Sequence, residues 1–162
     1  MKLRTIIAAI DGGDDLAPAV ILAADSLARH DGAALHVISA WPLRPSFAPG
    51  FPAELGADSA RYTKELREAD LAARDVQERE LKKLARSRDP NAVVAVITGE
   101  PGDVVPDYAR KVDADLIVAG SHQKGFWDAL FSGAPSREVV RAAPCGVFLV
   151  TRPFAEKLLA DA

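Results

Sequence analysis

What the chain has little of bounds it first. A single cysteine, Cys145, among 162 residues makes an intrachain disulfide impossible and suits a reducing compartment. The histidines, His30, His36 and His122, stand without metal-ligand spacing, so no metal site is expected. A net charge of −3, scattered along the chain, offers neither the basic face that nucleic acid needs nor a polybasic patch for anionic lipid. No apolar run approaches membrane-spanning length, and Asp11 interrupts the first one before it could form a signal-peptide core. A cytoplasmic protein with no nucleic-acid or membrane partner is expected. Catalytic signatures are lacking too. Ser121 and His122 are adjacent, which sends their side chains apart, no Gly-x-Ser-x-Gly elbow exists, and neither Gly99-Glu-Pro-Gly102 nor Asp11-Gly-Gly13 supplies the lysine of a Walker loop. No enzyme activity is expected.

What is present is apolar patterning. About half of the residues are hydrophobic (49%), enough for one sizeable core and a single domain. Thr5 to Ile10 is continuously apolar and branched, the pattern of a central strand buried on both faces, and Asp11-Gly12-Gly13 ends it. A helix follows, with Asp14 or Asp15 as its cap, Pro18 in its first turn and Gly32 past its end. Ala34 to Ile38 reads as the second strand. Between Trp41 and Gly56 prolines at 42, 45, 49 and 52 remove amide donors, so this is a long loop, whether a lid or a mobile segment. Asp58 to Ser87 has helical spacing, with Leu66, Ala69, Ala73, Val76, Glu80 and Leu84 as the expected inward stripe. Val93 to Ile97 is the third strand, and a helix through Val104, Val105, Tyr108 and Ala109 requires Pro106 to fall in its first turn or kink it. Asp115 to Gly120 is the fourth strand, Ser136 to Ala143 a helix, and Gly146 to Thr151 the fifth strand. Residues 1–152 form the expected domain, and a tail, 153–162, could add one or two turns. Five apolar runs alternating with helices demand right-handed crossovers, hence a doubly wound α/β fold of Rossmann type, its parallel sheet covered on both faces. Ligands of such sheets sit beyond the carboxyl ends of the strands.

Ile7-Ala-Ala-Ile-Asp11, Leu35-His-Val37, Asp113 through His122 and Ala143-Pro-Cys-Gly-Val-Phe-Leu-Val150 together resemble the universal stress protein family, over about Leu3 to Arg152. The resemblance implies strand order 3-2-1-4-5. It also implies a nucleotide site that uses Asp11, Val37, Gly120 and Gly133, with ATP or AMP as the ligand. The family's nucleotide signature is glycine, two residues, glycine, nine residues, then glycine with serine or threonine. Here Gly120 and Gly133 match its outer glycines, while Gln123 replaces the middle glycine and Ala134 the hydroxyl residue. The middle glycine lets backbone amides approach phosphate, and the hydroxyl donates one bond more. Pro135 removes a further amide. His122-Gln123 and Phe126-Trp127 resemble the branch typified by universal stress protein A, which lacks the full signature and is not regarded as nucleotide-binding. The expected function is therefore that of a dimeric regulatory stress protein with a degenerate site and no cofactor, the alternative being a nucleotide-binding switch with slow hydrolysis. The residues themselves leave bland readings open: Asp11 as a turn cap, Val37 as core, Lys124 as a solvated side chain, Cys145 as a buried thiol, and Phe126, Trp127, Leu130 and Phe131 as core or partner contacts. The resemblance further implies a homodimer through Val147, Phe148, Leu149 and Val150, whose apolar edge a lone domain would leave open to pairing. An unidentified protein partner completes the expectation.

Overall fold

The computed structural model describes residues 2–11, 13, 15–42, 56–121 and 143–161, with side chains of the long helix described from residue 63 onward. Its elements in chain order are β1 (Thr5–Ile10), α1 (Ala17–Asp31), β2 (Ala34–Trp41), α2 (Gly56–Arg86), β3 (Val93–Thr98), α3 (Pro101–Lys111), β4 (Leu116–Gly120), β5 (Gly146–Val150) and α4 (Arg152–Ala160). All strand pairs are parallel and the order is β3-β2-β1-β4-β5. The doubly wound sheet expected from the apolar runs is thus present.

A central strand of a parallel sheet must be apolar on both faces, and β1 shows why. Ile6, Ala8 and Ile10 point into a core shared with α1, α2 and α4, whereas Ile7 and Ala9 join Ile38, Ile117 and Ala119 under α3. The helix α1 lies on the first face through Ala19, Val20, Ile21, Ala23, Ala24 and Ala28. It stops where expected: Gly32 takes φ 68°, and the amide of Ala33 reaches back to the carbonyl of Ala28 at 2.8 Å, closing the last turn.

Several expectations are corrected. The N-cap of α1 is Leu16, with no side-chain hydrogen bond to the first turn. Asp15 instead holds Arg152 at the start of α4 through both carboxylate oxygens, at 2.7 and 3.2 Å. β2 continues past Ile38 through Ser39 to Trp41, because β3 runs alongside it to Thr98 and the Trp41 carbonyl accepts the Gly99 amide at 2.9 Å. Of the two expected placements of Pro106, the first turn of α3 is excluded, since it lies farther along the helix and is buried. The tail is a nine-residue helix, α4, with Ala155 buried and Leu158 packed on the α1 face of the core. The expected helix from Ser136 to Ala143 and most of the loop between Trp41 and Gly56 fall outside the described residues.

The inward stripe of α2 also differs. Leu84 packs against the core as expected, with Leu81 and Ala85 buried beside it, and above them Gln77, Arg74 and Asp70 face the sheet, while Val76 is 50% exposed and Ala69, Ala73 and Glu80 are exposed as well. Alanines at 69, 72 and 73 spread weak apolar character around the helix, so periodicity alone could not choose the face.

Candidate functional site

In a parallel sheet all carboxyl ends share one rim, and a change in winding direction opens a crevice there. Here the chain leaves β1 toward β2 and later returns to place β4 on the other side of β1, so the crevice lies beyond β1 and β4. Asp11 follows the last residue of β1 and is exposed. Gly120 is the last residue of β4, buried and paired with Val150. The β1–β4 register, with Ala9 opposite Ala119, brings Asp11 and Gly120 to the same rim. Gly133 lies outside the described residues, as do Gln123, Ala134, Lys124 and the aromatic residues that follow.

Val37 does not reach that rim. It pairs with Ala8 on one side and Val94 on the other, and its side chain is fully buried. Both neighbouring strands run past it, so its backbone groups belong to the ladder. The rim positions of β2 are Ser39 and Trp41.

These two residues border a cavity of about 630 Å³ between α1 and the C-terminal half of α2, with Ile10 at the end of β1, Asp11 after it, Ala17 from α1 and Gln77 and Leu84 from α2 along its walls. A polar seam fixes one side of it. Gln77 Nε2 donates to Ser39 Oγ at 2.8 Å, and Trp41 Nε1 donates to Asp70 Oδ2 at 3.0 Å. Arg74 Nη2 donates to the carbonyl of Val96 at 2.7 Å, which ties the helix to β3. Ser39 is only 1% exposed, so its hydroxyl depends on Gln77 for a partner that water would otherwise provide. The size lies in the range of small-molecule pockets, and a mainly apolar wall with a few convergent polar groups is their usual character. Ser39, Trp41 and Gln77 escaped the sequence reading. The signal available was a tryptophan at a strand end together with Asp70, Arg74 and Gln77 spaced as one helical face.

The α3 side holds a second polar pair. His36 Nδ1 and the Tyr108 hydroxyl are 3.0 Å apart, with ring centroids at 5.8 Å. Partial burial lowers the imidazole pKa and raises that of the phenol. Cys145 is half-buried on this side, and burial first, then the Asp115 carboxylate, pushes its thiol up, which disfavours the nucleophilic thiolate. Among the described residues no three histidine, cysteine or carboxylate side chains converge as metal ligands, and no helix is long and apolar enough to cross a membrane.

Comparison with known proteins places this geometry among relatives. The model of the universal stress protein family matches residues 2–151. A universal stress protein of Thermus aquaticus is 31% identical over 149 residues, covering 91% of this chain and 98% of that one. Among solved structures, the universal stress protein UspA from Lactobacillus plantarum superposes with a TM-score of 0.62 at 23% identity, over 93% of this chain and 99% of that chain. The universal stress protein from Archaeoglobus fulgidus in complex with dAMP gives 0.58 at 21% identity, over 92% and 98%. At such identities the two superpositions establish the shared fold. None of these proteins is named for a catalytic activity.

Proposed function

Since the chain belongs to the universal stress protein family, we propose that it is a dimeric regulatory protein of the stress response, cytoplasmic and without catalysis of its own, whose nucleotide site binds ATP weakly or not at all. The observation that carries this reading is the pair Gln123 and Ala134, standing where the phosphate-binding signature has glycine and a hydroxyl residue. Without them the loop after β4 loses a close-approach backbone position and a donor, and Pro135 withholds an amide. The burial of Val37 within the ladder supports the same conclusion from the base side of the crevice. Signalling then runs through surface contacts with a protein partner rather than through turnover. Calorimetric titration with ATP and magnesium tests it.

A second reading, an ATP- or AMP-binding switch with slow hydrolysis, is favoured by one specific observation. The cavity beside Asp11 is large enough for a nucleoside, and the Archaeoglobus fulgidus relative was crystallised with dAMP. In that reading Asp11, Gly120 and Gly133 retain a residual site, and Trp41 with Gln77 forms the wall nearest the ligand. Mass spectrometry of the purified protein separates the two: co-purified nucleotide supports the switch, and its absence supports the regulator. If phosphate grip alone is missing, Gln123→Gly combined with Ala134→Ser should tighten ATP binding by about tenfold or more, in line with the worth of charge-assisted hydrogen bonds.

A further inference from the structure

The cavity beside Asp11 continues well below the rim, and its walls differ from those of the crevice beyond β1 and β4. No described residue of β4 or β5 borders it; it runs between α1 and α2 from Trp41 past Ser39 to Leu84 and Ser87. Ala73, Val76, Glu80 and Ser87, spaced as one helical face, turn toward it. Val76 is half exposed for this reason: it lines an open apolar wall, with Ile10, Leu81 and Leu84, instead of joining the core.

The polar groups of the wall decide what it can hold. Its side-chain donors are spent on the protein: Trp41 Nε1 on Asp70 Oδ2 at 3.0 Å, Gln77 Nε2 on Ser39 Oγ at 2.8 Å, and Ser87 Oγ on the Leu84 carbonyl at 2.8 Å. Ser39 keeps a hydroxyl proton, but at 1% exposure little of the residue is within reach of a ligand. Acceptors remain. Gln77 Oε1 takes no hydrogen bond from a described residue, and the carboxylates of Asp11 and Glu80 stand exposed at the mouth. Among the described residues of the wall, Lys83 is the one cation against these two anions. A phosphate or carboxylate ligand is negative and can only accept, so it finds little to bond with here. A ligand that donates finds a partner in Gln77 Oε1.

We propose that this cavity binds an uncharged aromatic molecule through a hydroxyl that donates to Gln77 Oε1, its ring system lying against Trp41 and the aliphatic wall. The volume, about 630 Å³, accommodates two fused rings. Trp41 supplies a rigid aromatic surface whose own N–H is already satisfied, so it contributes ring contact alone. The second reading above puts a nucleoside here, whereas the surplus of acceptors favours a phenolic ligand without phosphate. The proposal goes beyond the regulatory reading and stands or falls separately from it, because the loop after β4 takes no part in the site. Occupancy bridges α1, α2 and the sheet, so the ligand stabilises the fold by mass action.

Titration calorimetry of the full chain with naphthol, methoxynaphthalene and naphthoate tests the proposal. Naphthol should bind saturably with a dissociation constant of about 0.1 mM or below, the scale expected of a ligand this small. Methoxynaphthalene keeps the rings but cannot donate, and naphthoate adds a negative charge to the same defect. Each should bind about fivefold or more weakly, the worth of one hydrogen bond. Ala73→Trp, at an exposed position of the wall, fills the cavity and should abolish naphthol binding while the far-ultraviolet spectrum stays native. No saturable heat up to about 1 mM naphthol overturns the proposal. So does equal affinity for naphthol and methoxynaphthalene, or an unchanged constant in folded Ala73→Trp. Displacement of naphthol by adenosine also overturns it and returns the cavity to the nucleotide reading. ATP that binds tightly without displacing naphthol contradicts the regulatory reading instead, and supports two separate sites.

Discussion

At the scale of single residues, His36 and Ser39 show how burial sets sensitivity. His36 has its pKa lowered from 6.5 by burial, so the unfolded chain takes up a proton at a higher pH than the folded one. The contribution of this group is complete above about 6.5 and is lost as pH falls through the lower folded value. Asp115 acts in the same direction. Its carboxylate accepts the amides of Arg4 at 2.7 Å and Thr5 at 3.0 Å, and these bonds lower its pKa, so its contribution at neutral pH disappears as acid protonates it. Thermal melts from pH 7.5 downward should therefore show falling stability. His36→Asn, whose amide reaches the Nδ1 position, should flatten the part of that loss nearest pH 6; an unchanged slope would assign the acid sensitivity elsewhere. For Ser39 the test is its partner. Gln77→Ala leaves a buried hydroxyl unsatisfied and should cost about 1–3 kcal/mol in urea unfolding, more than the same change at exposed Glu80. Neither residue was legible as important from the sequence, because a serine inside a strand and a glutamine on a charged helix carry no pattern until the fold opposes them.

At the scale of elements, strand positions and helix ends were the legible features, since continuous branched runs and punctuating glycines have direct physical causes. Gly32 is one such case. With φ 68° and open space around it, Gly32→Ala pays only for the left-handed backbone, about 1 kcal/mol. Gly99, between β3 and α3, has φ 143°, and a Cβ there would stand 2.8 Å from the Val104 side chain. Gly99→Ala should therefore be the more damaging change, by roughly 2 kcal/mol or more; comparison of the two melting temperatures checks the order. The face of α2 was not legible. Its upper half turns Asp70, Arg74 and Gln77 to the sheet, a choice made by the hydrogen bonds that Trp41, the Val96 carbonyl and Ser39 offer rather than by hydrophobicity. Asp15 was misread for a related reason: a local cap and a distant arginine compete for the same carboxylate, and only the folded chain brings Arg152 within reach.

At the scale of the whole molecule, alternating apolar runs and crossovers specified the sheet, and the family resemblance supplied an order that the strand pairing reproduces. The site was legible only in outline. Asp11 and Gly120 lie at one rim, because adjacent parallel strands end together, whereas Val37 is held inside the ladder by β1 and β3 extending beyond it. On the proposed reading, a chain with Gln123 and Ala134 at two positions of the phosphate-binding signature has little left to hold phosphate. Titration calorimetry with ATP and magnesium on the full chain measures this most directly. The expected result is no detectable heat, or a dissociation constant weaker than about 0.1 mM, which corresponds to roughly 5.5 kcal/mol of binding free energy. A submicromolar constant would contradict it.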